Sequence, residues 1–462
     1  MLTPNGRALS NTEHNWCRAV SSGTGITVLA LQMTKLPSKT SLLHNILHKL
    51  QTSHPVLQSK LHYNPITKDF SFHTPTTQLV NIKFLDIPST KQLLQTLSTN
   101  QDPNLSSLNL ILEHELNNKD WTNPNSFPCN GIDLLFARVY ELSDTKFVVV
   151  LRFHAAICDR TTGVSLLMEL MELVAENESG GTRTGIKNEG EGKMGIESMI
   201  PSGMRKKTIW ALGMDMLGYS VNSFRLSNLK FNNAKWPRSS EVVRLHLNIQ
   251  HTARILDECK FRGIKLCGAL SAAGLIAAHS TKLHSDKLKK KYGVVTLTDC
   301  RSVLEPSLPS HLFGFYHSAI LNIHTMKGSE NLWDLAKTCY TDFIHYKKCN
   351  KHFTDMANLN YLMTKAIENP SLTPSSSLRT ALISVFEDPV FDNSHQMQQK
   401  IGVEDYMGCA SVHGVGPSIG IFDIVRDGEL DCVCVYPSPL HSREQMNDLM
   451  DHMKRVLIDG SD

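Results

Sequence analysis

The sequence predicts a mixed α/β protein built in two parts, and three observations lead there. Short apolar, β-branched runs of strand length alternate with helix-spaced apolar stripes in both halves of the chain. A polar stretch at 176–197, rich in Gly, Glu and Lys, separates those halves. The chain is 462 residues long with 41% apolar side chains, which is ample for more than one core. The expected division is an N-terminal lobe at 1–175, a linker and crossover at 176–238, and a C-terminal lobe at 239–462.

The elements follow in order. Residues 25–33 form an apolar, β-branched run that reads as a buried strand. Ser38 is a helix cap, and Leu42, Leu43, Ile46, Leu47 and Leu50 give one apolar stripe behind it. His54-Pro55 ends that helix, because the residue before proline disfavours the helical region. Residues 132–142 and 145–153 are strand-like, with Ser143-Asp144 as the turn between them. A short polar-tipped connection, His154 to Arg160, leads into a helix marked by Val164, Leu167, Leu170, Met171 and Val174. Residues 204–224 read as an amphipathic helix with a basic start. Further strands are expected at 241–248, 293–299, 317–323, 381–386, 417–425 and 430–436. Further helices fit 250–259, 267–281, 331–348, 355–366 and 442–457.

Composition narrows the function. The 47 basic residues nearly balance 44 acidic ones, for a net charge of +3, which argues against a nucleic-acid partner. Eleven cysteines show no zinc spacing and no disulfide framework, so no metal is expected and the chain reads as reduced and cytoplasmic. No run of 18 or more apolar residues occurs, so no membrane span is expected, and no targeting segment is read at either end.

Three constellations could carry chemistry. Gly416-Pro417-Ser418-Ile419-Gly420 matches a nucleophile elbow in letters, which would make Ser418 a hydrolase nucleophile. The apolar run after it reads as a strand, whereas an elbow needs a helix. His154 at a strand end, with Asp159 beyond it, could accept a proton from a hydroxyl or amine; such a histidine also serves as a hydrogen-bonded structural residue. Asp299 and Arg301, two apart on an extended segment, share a face and suit an ion pair.

Taken together, these segments resemble the CoA-dependent acyltransferase superfamily, which includes plant BAHD-type acyltransferases, condensation domains and chloramphenicol acetyltransferase. Four places carry the likeness in order. His54-Pro55-Val56-Leu57-Gln58-Ser59-Lys60 resembles an early His-Pro-x-Leu-Arg-x-Arg stretch. Residues 153–167 resemble the His-x-x-x-Asp-Gly segment and its helix. Asp299-Cys300-Arg301 through Phe313-Gly314 resembles the Asp-x-Arg…Phe-Gly segment. Val412-His413-Gly414-Val415-Gly416-Pro417 stands in the place of Asp-Phe-Gly-Trp-Gly-x-Pro.

The resemblance implies two similar chloramphenicol-acetyltransferase-like lobes with a tunnel between them. It implies acyl transfer from acyl-CoA, a co-substrate with no bound cofactor, to a small-molecule alcohol or amine, by a monomer. The motif histidine would be the base, and the motif aspartate would pair with the Asp-x-Arg arginine, here Asp159 with Arg301. Cys158, His317 and His413 stand in segments placed near the tunnel. Two positions depart from the pattern. Five steps separate His154 from Asp159 where the family has four, so Ala155 stands at the base's position and His154 serves only if a bulge turns it inward. Arg160 replaces the motif glycine. A fold kept for ligand binding or another reaction, and a Ser418 hydrolase, are the alternatives.

Overall fold

The computed structural model describes residues 6–34, 40–75, 81–98, 105–178, 194–204, 226–235, 237–280 and 289–460. The expected cap Ser38, most of the 176–197 linker and nearly all of the 204–224 helix lie outside them.

Strands among these residues fall into three sheets. The first large sheet has five, in the order β14 (Val403–Val412), β2 (Thr24–Met33), β8 (Lys146–His154), β7 (Leu135–Ser143) and β5 (Ile82–Leu85). The second runs β11 (His317–Met326), β10 (Lys290–Asp299), β12 (Arg379–Phe386), β15 (Gly416–Arg426), β16 (Glu429–Ser438) and β9 (Ser239–Leu247). There β13 (Val390–Asp392) pairs with β15. A small sheet, β1 (Gly6–Ala8), β4 (Asp69–His73), β3 (Lys60–Asn64) and β6 (Ile132–Asp133), completes the set. The mixed α/β class is as the sequence predicts.

The central strands are buried on both faces, which is why they read as apolar runs rather than alternations. In β8 the side chains of Val149, Leu151 and Phe153 join one core and those of Val148 and Val150 another. The helices Thr40–Ser53 and Arg160–Glu178 pack on the Val149 side, and Ser107–Leu116 on the Val148 side. In the second half, the helix Leu266–Ser280 is buried on nearly every side. It packs between the sheet and the helices Leu332–Lys348 and Arg443–Asp459. Asn248, Asn331 and Ser442 cap helices there by accepting first-turn amide hydrogen bonds. No single helix among the described residues is long and apolar enough to cross a membrane.

The two sheets are not built from separate stretches of chain. Strand β14, from the 239–462 segment, pairs antiparallel with β2 from Met33↔Val403 to Thr24↔Val412. Its buried side chains include Tyr406 on one face and Met407, Cys409 and Val412 in the core on the other. Asp405 anchors it back to the second sheet through Arg244 at 2.6 Å and Arg426 at 3.0 Å. The two halves are therefore laced together, and the cleft between them is fixed from both sides.

Candidate active site

A cavity of about 480 Å³ lies between the two large sheets. The floor is the turn between β8 and the helix Arg160–Glu178. Asp159 caps that helix by the reciprocal pair of a capping box: its carboxylate accepts the Thr162 N–H at 3.0 Å, and the Thr162 hydroxyl accepts the Asp159 N–H at 3.1 Å. A parallel bridge between Cys158 and Gly314 ties this turn to the second half. Cys158 lines the cavity, with its thiol pushed up in pKa chiefly by burial.

Asp159 and Arg301 meet here, 142 residues apart in sequence. Arg301 Nη2 donates to Asp159 Oδ2 at 2.9 Å and Oδ1 at 3.1 Å, with both side chains buried. Arg301 also reaches Asp299 at 3.1 Å, and Thr161 donates to that carboxylate at 2.8 Å. The Tyr316 N–H donates to Asp159 Oδ2 at 2.9 Å. Burial alone would raise the Asp159 carboxyl, but Arg301 and then His317 outweigh it and hold it below the usual carboxylate range.

His154 is elsewhere. The β2–β8 register runs without a shift from Met33↔Phe147 to Ile26↔His154, so no bulge turns the ring inward. Ala155 lines the cavity, and the His154 ring lies on the other side against the Trp121 indole, centroids 5.4 Å apart. His154 Nδ1 accepts the Ala156 N–H at 3.1 Å, which puts any ring proton on Nε2, an atom without a hydrogen-bond partner among the described residues. Full burial lowers its pKa to about 3. The expectation of His154 as base is corrected: the pleat sends it into packing.

His317, at the start of β11, is the imidazole that lines the cavity. Nδ1 lies 3.1 Å from Asp159 Oδ2, an ion-pair distance without hydrogen-bond geometry. The edge of β11 faces the floor because Tyr316 and His317 both engage the same carboxylate. His413 does not line the cavity. Its Nδ1 pairs with the Ser240 hydroxyl at 3.1 Å, and its pKa falls to about 4 through burial, then the charges of Arg379 and Arg238. Ser418 is also corrected: it is fully buried within β15, donates to Asn228 at 3.1 Å, and has a strand rather than a helix after it.

Sequence reasoning missed Asp423. It lies buried on β15 and lines the cavity, and Arg160 Nη2 donates to its Oδ1 at 3.0 Å. Arg160 also donates to the Asp388 carbonyl at 3.0 Å and stacks on Phe386, 4.2 Å from the centroid. The residue that replaces the motif glycine thus bridges the two halves. A lone aspartate inside the apolar run 419–425 was the signal available.

No protein-family model and no curated protein matches this sequence. Solved structures do match over nearly the full length. The trichothecene 15-O-acetyltransferase TRI3 of Fusarium sporotrichioides is similar at TM-score 0.66 and 10% identity, covering 98% of this chain and 95% of that one. Polyketide synthase associated protein 5 of Mycobacterium tuberculosis is similar at 0.61 and 15%, covering 98% of each chain. The first condensation domain of the calcium-dependent antibiotic synthetase is similar at 0.61 and 12%, covering 99% and 97%.

The fold is therefore the one these acetyltransferase, polyketide-synthase-associated and condensation-domain structures share. At these identities the likeness is one of fold, and the chemistry has to be argued from the residues in the cleft.

Proposed function

We propose that this chain is an acyltransferase working in the cleft between its lobes, with His317 in the role the sequence first suggested for His154. One observation carries the reading: a ring nitrogen of His317 sits 3.1 Å from a buried carboxylate that Arg301 keeps charged, beside the cavity. The donor is an acyl-CoA, and the acceptor a small alcohol or amine.

The step balances as follows. Nε2 of His317 takes the acceptor's proton as its oxygen or nitrogen attacks the thioester carbonyl. The new C–O or C–N bond forms, the C–S bond breaks, and the leaving thiolate recovers the proton from the imidazolium. The Asp159 carboxylate lies 3.1 Å from Nδ1, where its negative charge faces the positive charge the ring gains as it takes the proton. Arg301 keeps Asp159 ionised, so it is a positioning residue rather than a catalytic one. Holding donor and acceptor together contributes as well, since proximity is worth roughly 7–11 kcal/mol in favourable cases.

The test is acceptor-dependent thiol release from a panel of acyl-CoAs. His317→Ala should lower the rate about 10²- to 10⁴-fold. Absence of acceptor-dependent release with every donor would overturn the proposal. A second reading, a ligand-binding protein without transfer, is favoured by Ala155, which lines the cavity where the family resemblance places a base. It predicts transfer only after Ala155→His.

A further inference from the structure

The walls of the cavity are largely apolar, with Trp16, Leu167, Leu297, Leu359, Met363 and Phe386 among them. Among the described residues, six that carry formal charge also line it, and each is already hydrogen-bonded within the protein. Asp159 is held by Arg301 at 2.9 Å, and Asp423 by Arg160 at 3.0 Å. Lys365 donates to Glu368 at 2.7 Å. Asp431 accepts from Arg244 Nε at 3.2 Å. Arg379 is buried without a carboxylate partner, but its guanidinium donates to the main-chain carbonyls of Ser377, Val412, Gly414 and Pro417. Five of the six are paired with an opposite charge, and Arg379 is turned to main-chain carbonyls. An ion placed here would lose much of its water and meet no charged side chain that is not already bonded within the protein, which is costly.

The helix Met356–Glu368 points the same way. Leu359, Leu362 and Met363 are only half-buried, yet they line the cavity rather than a neighbouring element. The helix is tied across the cleft to the helix Asn11–Ser21: Asn360 donates to Thr12 at 3.0 Å and Thr364 to Asn15 at 2.6 Å. These apolar side chains therefore face a partly open space that an apolar occupant would fill.

We infer that the cavity takes an uncharged aliphatic ligand part, a long alkyl chain, and rejects charged molecules of the same length. Calling that ligand a substrate rests on the acyl-transfer reading; the binding itself does not. The chain belongs either to a hydrophobic alcohol acceptor or to a fatty acyl donor, and the two share this chemistry.

The experiment is displacement of the neutral fluorophore N-phenyl-1-naphthylamine from the full chain. Competitors of equal chain length are 1-dodecanol, methyl dodecanoate, dodecanoate and dodecylammonium. The uncharged pair should bind about tenfold or more tighter than either ion. Displacement by dodecanol alone assigns the chain to the acceptor, by the methyl ester alone to the donor, and either supports the inference. Ala319→Trp, which fills the lined space, should weaken displacement by both uncharged ligands. Leu362→Glu, on the half-buried helix face, should shift preference toward dodecylammonium by about tenfold, because it supplies an unmatched charge. Equal or tighter binding of either ion to the unaltered protein would overturn the inference, as would failure of both uncharged ligands to bind. Neither outcome depends on thioester turnover, so failure here is distinct from failure of the acyltransferase proposal.

Discussion

Replacing Arg301 with Met removes the counter-charge of Asp159 while keeping much of the side chain's length. Arg301 is 3% exposed, and its guanidinium reaches both oxygens of a carboxylate that is itself buried. The remaining donors to that carboxylate are the Tyr316 and Thr162 N–H groups and the Thr162 hydroxyl, with the His317 ring 3.1 Å away. Breaking such a pair from one side costs about 3–5 kcal/mol, against a total stability of about 5–15 kcal/mol. The assay is urea unfolding, read as a lower midpoint at unchanged slope. Asp159→Asn combined with Arg301→Met should recover a good part of the loss, since the double variant buries no unpaired charge.

The pH profile adds a sign. In the natural chain Asp159 sits below its ordinary value of 3.8, so its contribution is fully present above that pH and is lost as pH falls through the native value. In Arg301→Met, burial is no longer outweighed and the carboxyl rises. The variant then becomes less stable as pH climbs through that raised value. Additive losses in the double variant, or a pH profile parallel to the natural one, would refute the reasoning.

Two further outcomes are expected. His154 is held near a pKa of 3 by burial, so the unfolded chain takes up a proton below about 6.5 that the native chain refuses, and stability falls as pH drops toward 3. His154→Phe should flatten that acid slope by about 1.4 kcal/mol per pH unit, measured by urea unfolding between pH 4 and 6. Arg160→Ala leaves Asp423 buried and unpaired, at a cost of about 3–5 kcal/mol, and Asp423→Asn in the same chain should restore much of it, read by thermal unfolding.

Most of the large-sheet strands were legible because burial on both faces leaves an apolar run, as in β2, β8 and β15. Strand β14 was not. It starts Val403-Glu404-Asp405 and continues through Gly408, Ala410 and Ser411, small residues that line the cavity and erase the apolar signal. Gly408 is small for a second reason: a Cβ there would meet Leu29 Cδ2 at 2.9 Å. The small sheet of β1, β3, β4 and β6 was missed because its strands are two to five residues long.

In the site, the resemblance singled out Asp159 and Arg301, and the fold brings them together. The face of His154 was not legible, because one step along a strand reverses the side chain and spacing alone does not reveal a bulge. His317 stood in a segment linked to the tunnel by resemblance alone. Its approach to Asp159 is a product of topology, with the first residue of β11 brought over the cap of a helix in the other half. Arg160 was visible as an oddity, but its partner Asp423 is 263 residues away.

The central claim is that the proton acceptor comes from β11 and not from β8. Acceptor-dependent thiol release by the natural chain, His317→Ala and His154→Phe tests it directly. The account predicts a loss of about 10²- to 10⁴-fold in the first variant and a change of only a few-fold in the second. Full activity in His317→Ala, with loss in a folded His154→Phe, would contradict it.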